Sequence, residues 1–68
     1  MKKNCFSNNL RGLRKEKGLS QVSLAEICKV SLKTISHWET GYSEPSIEQI
    51  IFIAKFFNVT TDDLLGMQ

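Results

Sequence analysis

The chain has 68 residues, a net charge of +2, two cysteines and one histidine. This length predicts a single domain over residues 1–68, with a core over about 6–66, that buries only about 60% of its unfolded surface. The sequence has neither a charged-then-apolar leader nor an apolar run long enough to span a bilayer. We therefore expect a soluble protein of the cytoplasm with no contact to membranes.

The charges are unevenly distributed along the chain. Residues 1–17 contain six Lys or Arg against Glu16, whereas residues 42–68 contain Lys55 against four carboxylates. A basic N-terminal part and an acidic C-terminal part suit a protein that presents one face to a polyanion. The same pattern also fits a solvated basic tail that has no partner, so charge alone does not decide between the two interpretations.

The cysteines and the histidine do not form a metal-binding pattern. Cys5 and Cys28 are widely separated, and one histidine cannot complete a zinc site with them. Cys28 follows Leu24 and Ile27 on an apolar stripe, which predicts a small buried hydrophobic residue. We expect no metal, no cofactor and no disulfide.

Four hydroxyl residues have the sequence context of helix N-caps: Ser20, Ser31, Ser46 and Thr60. Each hydroxyl can accept a hydrogen bond from an unpaired N–H group in the first helical turn. Gln49, three positions after Ser46, completes a capping box. At the other three starts, one apolar residue precedes the cap and another follows four positions later, which is the pattern of a hydrophobic staple.

Glycines mark three helix ends, at Gly18, Gly41 and Gly66. A glycine after the last helical turn adopts the left-handed conformation without steric cost. No segment alternates like a β-strand. The fold class is therefore predicted to be all-α, a compact bundle of five helices with boundaries at about Phe6 to Lys17, Gln21 to Cys28, Leu32 to Thr40, Ile47 to Phe57, and Thr61 to Leu65.

The second and third predicted helices are short, amphipathic and joined by a tight turn. The third helix begins with a polar, basic edge. This layout is typical of a helix-turn-helix that reads DNA, and it favours sequence-specific DNA binding as the function.

The chain resembles the Cro/CI-type (XRE) helix-turn-helix family of phage and bacterial regulators over about Leu10 to Leu65. The elements of the resemblance are Leu10-Arg11-Gly12-Leu13-Arg14, Gly18-Leu19-Ser20-Gln21, Leu24-Ala25, Val30-Ser31, Thr34-Ile35-Ser36, Trp38-Glu39, Gly41, Pro45-Ser46, Ala54 and Leu64-Leu65. The resemblance implies a lambda-repressor-like bundle with its third helix in the major groove. It also implies a bacterial or phage transcriptional regulator, which we expect to be a repressor. Together with surplus apolar residues on the fourth helix, it predicts a homodimer that binds a palindromic operator.

The resemblance assigns roles to individual positions. Base edges are approached by the outer face of the third helix: Leu32, Lys33, Ser36 and His37. Lys33 can donate to the O6 and N7 acceptors of guanine, and His37 can donate or accept. Two roles stay open for Leu32, which can contact a thymine methyl group or pack on the second helix.

A second set of positions is predicted to contact DNA phosphates: Gln21, Ser31, Thr34, Thr40 and Tyr42. In relatives the glutamine that matches Gln21 also supports the third helix, and a polar side chain at a helix N-terminus is well placed for an anion. Ser31 and Thr34 suit capping as well as phosphate contact. Tyr42 either donates its hydroxyl or packs on Pro45.

Arg14 and Glu39 match a family pair that ties the first helix to the end of the third. A planar guanidinium can bond both oxygens of a carboxylate, so this pair is predicted to set the tilt of the third helix. The chain departs from the family at Lys29, which replaces the usual turn glycine. A turn of the usual shape gives Lys29 a positive φ, at a cost on the order of 1 kcal/mol.

The fourth helix carries more apolar residues than one core face needs. The predicted core face consists of Ile47, Ile50, Ile53, Ala54 and Phe57. The surplus residues are Ile51, Phe52 and Phe56, and we predict that they form a dimer interface. In the alternative, the N-terminal Phe6 or the C-terminal Leu65 or Met67 covers these rings within one chain.

Two other functions compete with DNA binding. The first is a protein-interaction or antitoxin-like module that uses the apolar face of the fourth helix. The second is an enzyme, which we do not expect, because the sequence shows no nucleophile–base pair and no phosphate-cradling loop. No effector domain is visible, so we expect no small-molecule effector within this chain.

Overall fold

A computed structural model describes residues 6–66, and Cys5 and Met67 lie outside them. These residues form five helices and no strand: α1 (Phe6–Glu16), α2 (Gln21–Cys28), α3 (Leu32–Thr40), α4 (Ile47–Phe57) and α5 (Thr61–Leu65). The predicted fold class and all helix boundaries are confirmed, except that α1 ends one residue earlier. None of the helices within this range is long and apolar enough to cross a membrane.

All four predicted N-caps are present. The hydroxyls of Ser20, Ser31 and Thr60 each accept a hydrogen bond from the backbone N–H group three residues later, at 2.9–3.1 Å. Ser46 forms the full capping box: its hydroxyl accepts from the Gln49 N–H at 3.2 Å, and its own N–H donates to Gln49 Oε1 at 2.7 Å. The helix starts are therefore fixed by residues within one turn of each cap.

The helices end in left-handed residues, two of which are not glycine. Lys29 closes α2 with φ 62° and ψ 42°, and Asn58 closes α4 with φ 59° and ψ 46°. The helix-turn-helix thus keeps its tight turn with lysine at this position, and Lys29 has the positive φ that we expected for a turn of the usual shape. Asparagine tolerates this conformation better than most residues, whereas lysine does so at a steric cost.

Side chains from all five helices form the core: Phe6, Leu10, Leu24, Ala25, Ile35, Trp38, Ile53, Ala54, Phe57 and Leu64. Helix α1 packs on α3 and α5, α2 packs on α3 and α4, and α4 packs on α5. Leu24, Ile35 and Leu64, each four positions after a cap, are completely buried. The first turns of α2, α3 and α5 therefore carry both the polar cap and an apolar anchor.

The exposure of α4 differs from the prediction at two positions. Ile47 was assigned to the core face, but 76% of its surface is exposed. Phe56 was assigned to a free apolar face, but it is partly buried, with its ring 4.9 Å from that of Phe57 and Lys17 Nζ 5.7 Å from its centroid. Helical periodicity assigns a face to each residue, but it does not say how far neighbouring elements extend along the helix.

Ile51 and Phe52 are left as the exposed part of the predicted interface. Phe6 lies in the core and Leu65 is only packed against it, and neither covers Phe52, which remains 47% exposed. Cys28 is half-buried rather than buried, and this burial raises the pKa of its thiol.

Replacing Lys29 by glycine is expected to stabilise the fold by about 0.5–1 kcal/mol, because glycine adopts the left-handed conformation without a Cβ clash. For a domain of this size, 1 kcal/mol corresponds to a rise of about 4–8 °C in Tm. The control is Asn58→Gly, which relieves less strain and should stabilise less in the same thermal and urea unfolding experiments. An equal gain at both positions would contradict this account of the turn.

Candidate nucleic-acid interface

Helix α3 divides into a buried face and an outer face. Ile35 and Trp38 are buried in the core. The four residues predicted to approach base edges all retain exposure: Leu32 and Lys33 are exposed, and Ser36 and His37 are partly exposed. The structure therefore brings these four residues to the outer side of one nine-residue helix.

A buried hydrogen-bonding network holds the back of α3. Arg14 Nε donates to Glu39 Oε2 at 2.6 Å, and Arg14 Nη2 donates to Glu39 Oε1 at 3.1 Å. A third nitrogen of the same guanidinium, Nη1, donates to the Leu19 carbonyl at 2.9 Å. Arg14 therefore bonds the α1–α2 loop and the C-terminal turn of α3 at once.

Gln21 extends this network into α2. Its Nε2 donates to Glu39 Oε1 at 3.0 Å, so the Glu39 carboxylate accepts three hydrogen bonds from two helices. Glu39 is only 3% exposed, and within residues 6–66 no buried side-chain nitrogen or oxygen lacks a partner. A buried carboxylate with all of its donors in place has one favourable position, which fixes α3 against α1 and α2.

The residues predicted to contact phosphates lie at three places. Gln21 opens α2, whereas Ser31 and Thr34 lie at the start of α3, with their hydroxyl oxygens 2.9 Å apart. Thr40 and Tyr42 lie at the other end of α3, where the Thr40 hydroxyl donates to the His37 carbonyl at 3.3 Å. Ser31 and Thr34 thus border the outer face of α3 at its start, and Thr40 and Tyr42 border it at its end.

One contact at this surface has no counterpart among the sequence predictions. The ring of Tyr42 lies 4.5 Å from the imidazole of His37, centroid to centroid, at an angle of 48°. Tyr42 is 78% exposed, so it is not packed into the core. A signal for this contact exists in the sequence: the residue after a C-terminal glycine commonly packs on the residue four positions before that glycine.

This geometry agrees with the comparison to known families. The chain belongs to the helix-turn-helix family, whose family model matches residues 10–64. The membership predicted from the sequence motifs is therefore confirmed.

Two curated relatives cover the same part of the chain. It is 47% identical over 61 residues to the HTH-type transcriptional activator BcrR of Enterococcus faecalis. It is 38% identical over 61 residues to the antitoxin PezA of Streptococcus pneumoniae. Each match covers 90% of this chain but only 30% of BcrR and 39% of PezA, so the chain spans less than half the length of these relatives.

Two solved structures have the same fold. A transcriptional regulator from Listeria innocua superimposes with a TM-score of 0.93 and 33% identity, over 98% of this chain and 63% of that one. The P22 c2 repressor, solved in complex with a synthetic operator, superimposes with a TM-score of 0.84 and 28% identity, over 93% of this chain and 96% of that one. The lambda-repressor-like architecture is therefore confirmed.

Removing either partner of the buried pair is expected to destabilise the fold. Arg14→Ala or Glu39→Ala should each cost about 3 kcal/mol or more, because the remaining charge stays buried without its partner. The double variant should cost less than the two single variants together, with an interaction energy of about 0.5 kcal/mol or more in urea unfolding.

The control for this cycle is Arg11→Ala. Arg11 is an exposed arginine on the same helix whose side chain donates to Asn8 Oδ1 at 3.4 Å, and its removal should change stability by less than about 0.5 kcal/mol. Additive effects of the Arg14 and Glu39 substitutions would contradict the coupling of the pair.

Proposed function

We propose that this chain is the DNA-binding part of a transcriptional regulator and binds double-stranded DNA sequence-specifically, with α3 in the major groove. The observation that carries the proposal is the outer face of α3. It is mostly polar, carries the cationic Lys33 and is at least partly exposed at every position, and buried hydrogen bonds fix the helix from behind. The similar P22 c2 repressor, solved with an operator, supports the same use of the fold. We propose that its activity is binding rather than catalysis, and that it acts in the cytoplasm as a bacterial or phage protein.

In the proposed complex, the residues on the outer face of α3 contact base edges, each through a different kind of interaction. Lys33 is exposed near the start of α3 and donates to guanine acceptors. His37, one turn further on, can donate or accept a hydrogen bond. Ser36 is small, and its hydroxyl can donate or accept a hydrogen bond. Leu32 is half exposed and offers an apolar contact to a thymine methyl group.

The residues around this face would hold the phosphates. Gln21 begins α2, where unpaired N–H groups favour an anion. The hydroxyls of Ser31 and Thr34 and the stretch from Thr40 to Tyr42 border the reading face at its two ends. Such contacts set the register of α3 on the duplex without specifying bases.

We also propose that the protein acts as a homodimer on a palindromic site. Ile51 and Phe52 are the exposed apolar residues left from the predicted interface on α4, and Ile47, four positions before Ile51, adds a further exposed side chain. A two-fold interface would bury this patch against its own copy. The two recognition helices would then lie about 34 Å apart, one turn of B-DNA.

A second candidate is a protein-interaction module of the antitoxin type. The relative named antitoxin PezA and the exposed apolar patch on α4 favour it. The salt dependence of binding separates the two candidates. A protein that binds DNA displaces counterions from the phosphates, so its affinity falls steeply as the salt concentration rises. The affinity of an apolar protein contact does not fall in this way.

DNA binding should depend on α3 side chains in two distinct ways. Lys33→Ala and His37→Ala should each cost about 1–3 kcal/mol on the best site selected from random duplex DNA, and each should relax the preference at one base position. Gln21→Ala should weaken binding more evenly across sequences, because it removes a phosphate contact, which carries no base information, together with the hydrogen bond to Glu39 that helps to hold α3.

The control is Lys55→Ala, which removes the same charge from α4 and should leave base preference unchanged. If Lys33→Ala, His37→Ala and Gln21→Ala all bound a selected site as the wild type does, α3 would not be the reading helix. Titrations at several salt concentrations complete the test.

Dimerisation should depend on the exposed part of α4. The double variant Ile51→Glu/Phe52→Glu should move the monomer–dimer midpoint in sedimentation experiments to at least about tenfold higher concentration, because charges would be buried in the interface. Phe56 is unsuitable for this test, because it is partly buried against Phe57.

The control for dimerisation is Val22→Glu, which places a charge at a half-exposed apolar position on α2 and should leave the midpoint unchanged. A wild type that stays monomeric at all micromolar concentrations, and binds its site as a single copy, would contradict the dimer.

A further inference from the structure

The contact between His37 and Tyr42 is built into the end of α3. The backbone N–H of Tyr42 donates to the His37 carbonyl at 2.9 Å, and the N–H of Gly41 donates to the Trp38 carbonyl at 3.4 Å. These two bonds, with Gly41 at φ 83°, define a Schellman motif. The motif brings the residue after the glycine back over the last full turn of the helix, which here places Tyr42 on His37.

The ring of Tyr42 restricts the imidazole without burying it. The two centroids are 4.5 Å apart, and His37 remains partly exposed beside Ser36 on the outer face of α3. Offset or tilted aromatic pairs at this distance are favourable. An imidazole that is packed on one side adopts fewer rotamers than a free surface histidine, so less side-chain entropy is lost when it binds a base.

We infer that Tyr42 is a positioning residue of the DNA-binding site, which orients the imidazole of His37 and sharpens the base preference at the position that His37 reads. This inference rests on the proposed function. It assigns to the ring of Tyr42 a role distinct from a hydroxyl contact to phosphate, and the two roles differ in what Tyr42→Phe and Tyr42→Ala do.

The first experiment needs no DNA. His37 is the only histidine of the chain, so its imidazole proton resonances are unambiguous in the NMR spectrum. Tyr42→Ala should shift these resonances, because the ring current of the neighbouring tyrosine is lost, whereas Tyr42→Phe should keep them near the wild-type positions. Unchanged resonances in Tyr42→Ala would show that the contact does not form in solution and would overturn the inference.

The second experiment measures base preference. The probe is a pair of duplexes, the best selected site and the same site changed at the base pair where His37→Ala relaxes preference. The ratio of the two affinities is the readout, and we expect about tenfold for the wild type. Tyr42→Ala should lower the ratio towards that of His37→Ala, whereas Tyr42→Phe should retain the wild-type ratio.

The same substitution in the His37→Ala background provides the matched control. Once the imidazole is absent, Tyr42→Ala should not change the ratio further, because the tyrosine ring acts only through His37. Thermal melting checks that Tyr42→Ala is folded, as expected for a side chain that lies outside the core.

The outcomes separate the inference from the function on which it rests. If His37→Ala relaxes a base preference but Tyr42→Ala lowers both affinities equally, Tyr42 contacts phosphate and the inference is wrong. If His37→Ala alters no base preference, the reading role proposed for His37 fails and the inference fails with it. The inference is supported if the affinity ratio falls in Tyr42→Ala and is retained in Tyr42→Phe. In the His37→Ala background, the ratio should then no longer depend on Tyr42.

Discussion

The structure depends on the buried carboxylate of Glu39. A charge that is 3% exposed is tolerated only when donors replace the lost water, and here three hydrogen bonds from Arg14 and Gln21 do so. The donors lie on α1 and α2, and the acceptor lies in the last turn of α3. Satisfying this one charge therefore requires three helices to be in place together. Arg14 also donates a hydrogen bond to the Leu19 carbonyl, so the loop between α1 and α2 is held by the same network.

This requirement connects the fold to the proposed function. A helix of nine residues is not stable alone in water, so the direction of α3 comes from what it packs against. Ile35 and Trp38 bury one side of α3, and Glu39 fixes its end. The polar residues on the other side are thus presented on a rigid helix, which lowers the entropy lost when they bind. The Schellman turn after Glu39 also holds Tyr42 in place, with its ring against that of His37.

The similar proteins show that the domain alone does not define an activity. A transcriptional activator and an antitoxin match this chain in sequence, and a repressor solved with an operator has the same fold. Evidence for a particular activity is therefore sought in the exposed residues rather than in the fold. In this chain the two informative surfaces are the outer face of α3 and the apolar patch of α4. The first carries the proposed base reading, and the second, with Ile51 and Phe52 exposed, carries the proposed association.

The sequence by itself determined where the helices begin and end, because caps such as Ser46–Gln49 and left-handed ends such as Gly41 depend on residues within about one turn. It also determined the outer face of α3 and, through the family resemblance, the partners Arg14 and Glu39. Only the tertiary structure decided which apolar residues of α4 are covered. Ile47 is exposed and Phe56 is shielded beside Lys17, because burial depends on which other elements lie alongside a helix and not on its own periodicity. The hydrogen bond from Arg14 to the Leu19 carbonyl was also decided there, since it requires the loop after α1 to fold back on that helix. The ring contact between His37 and Tyr42 is local instead, because it follows from the Schellman turn at Gly41.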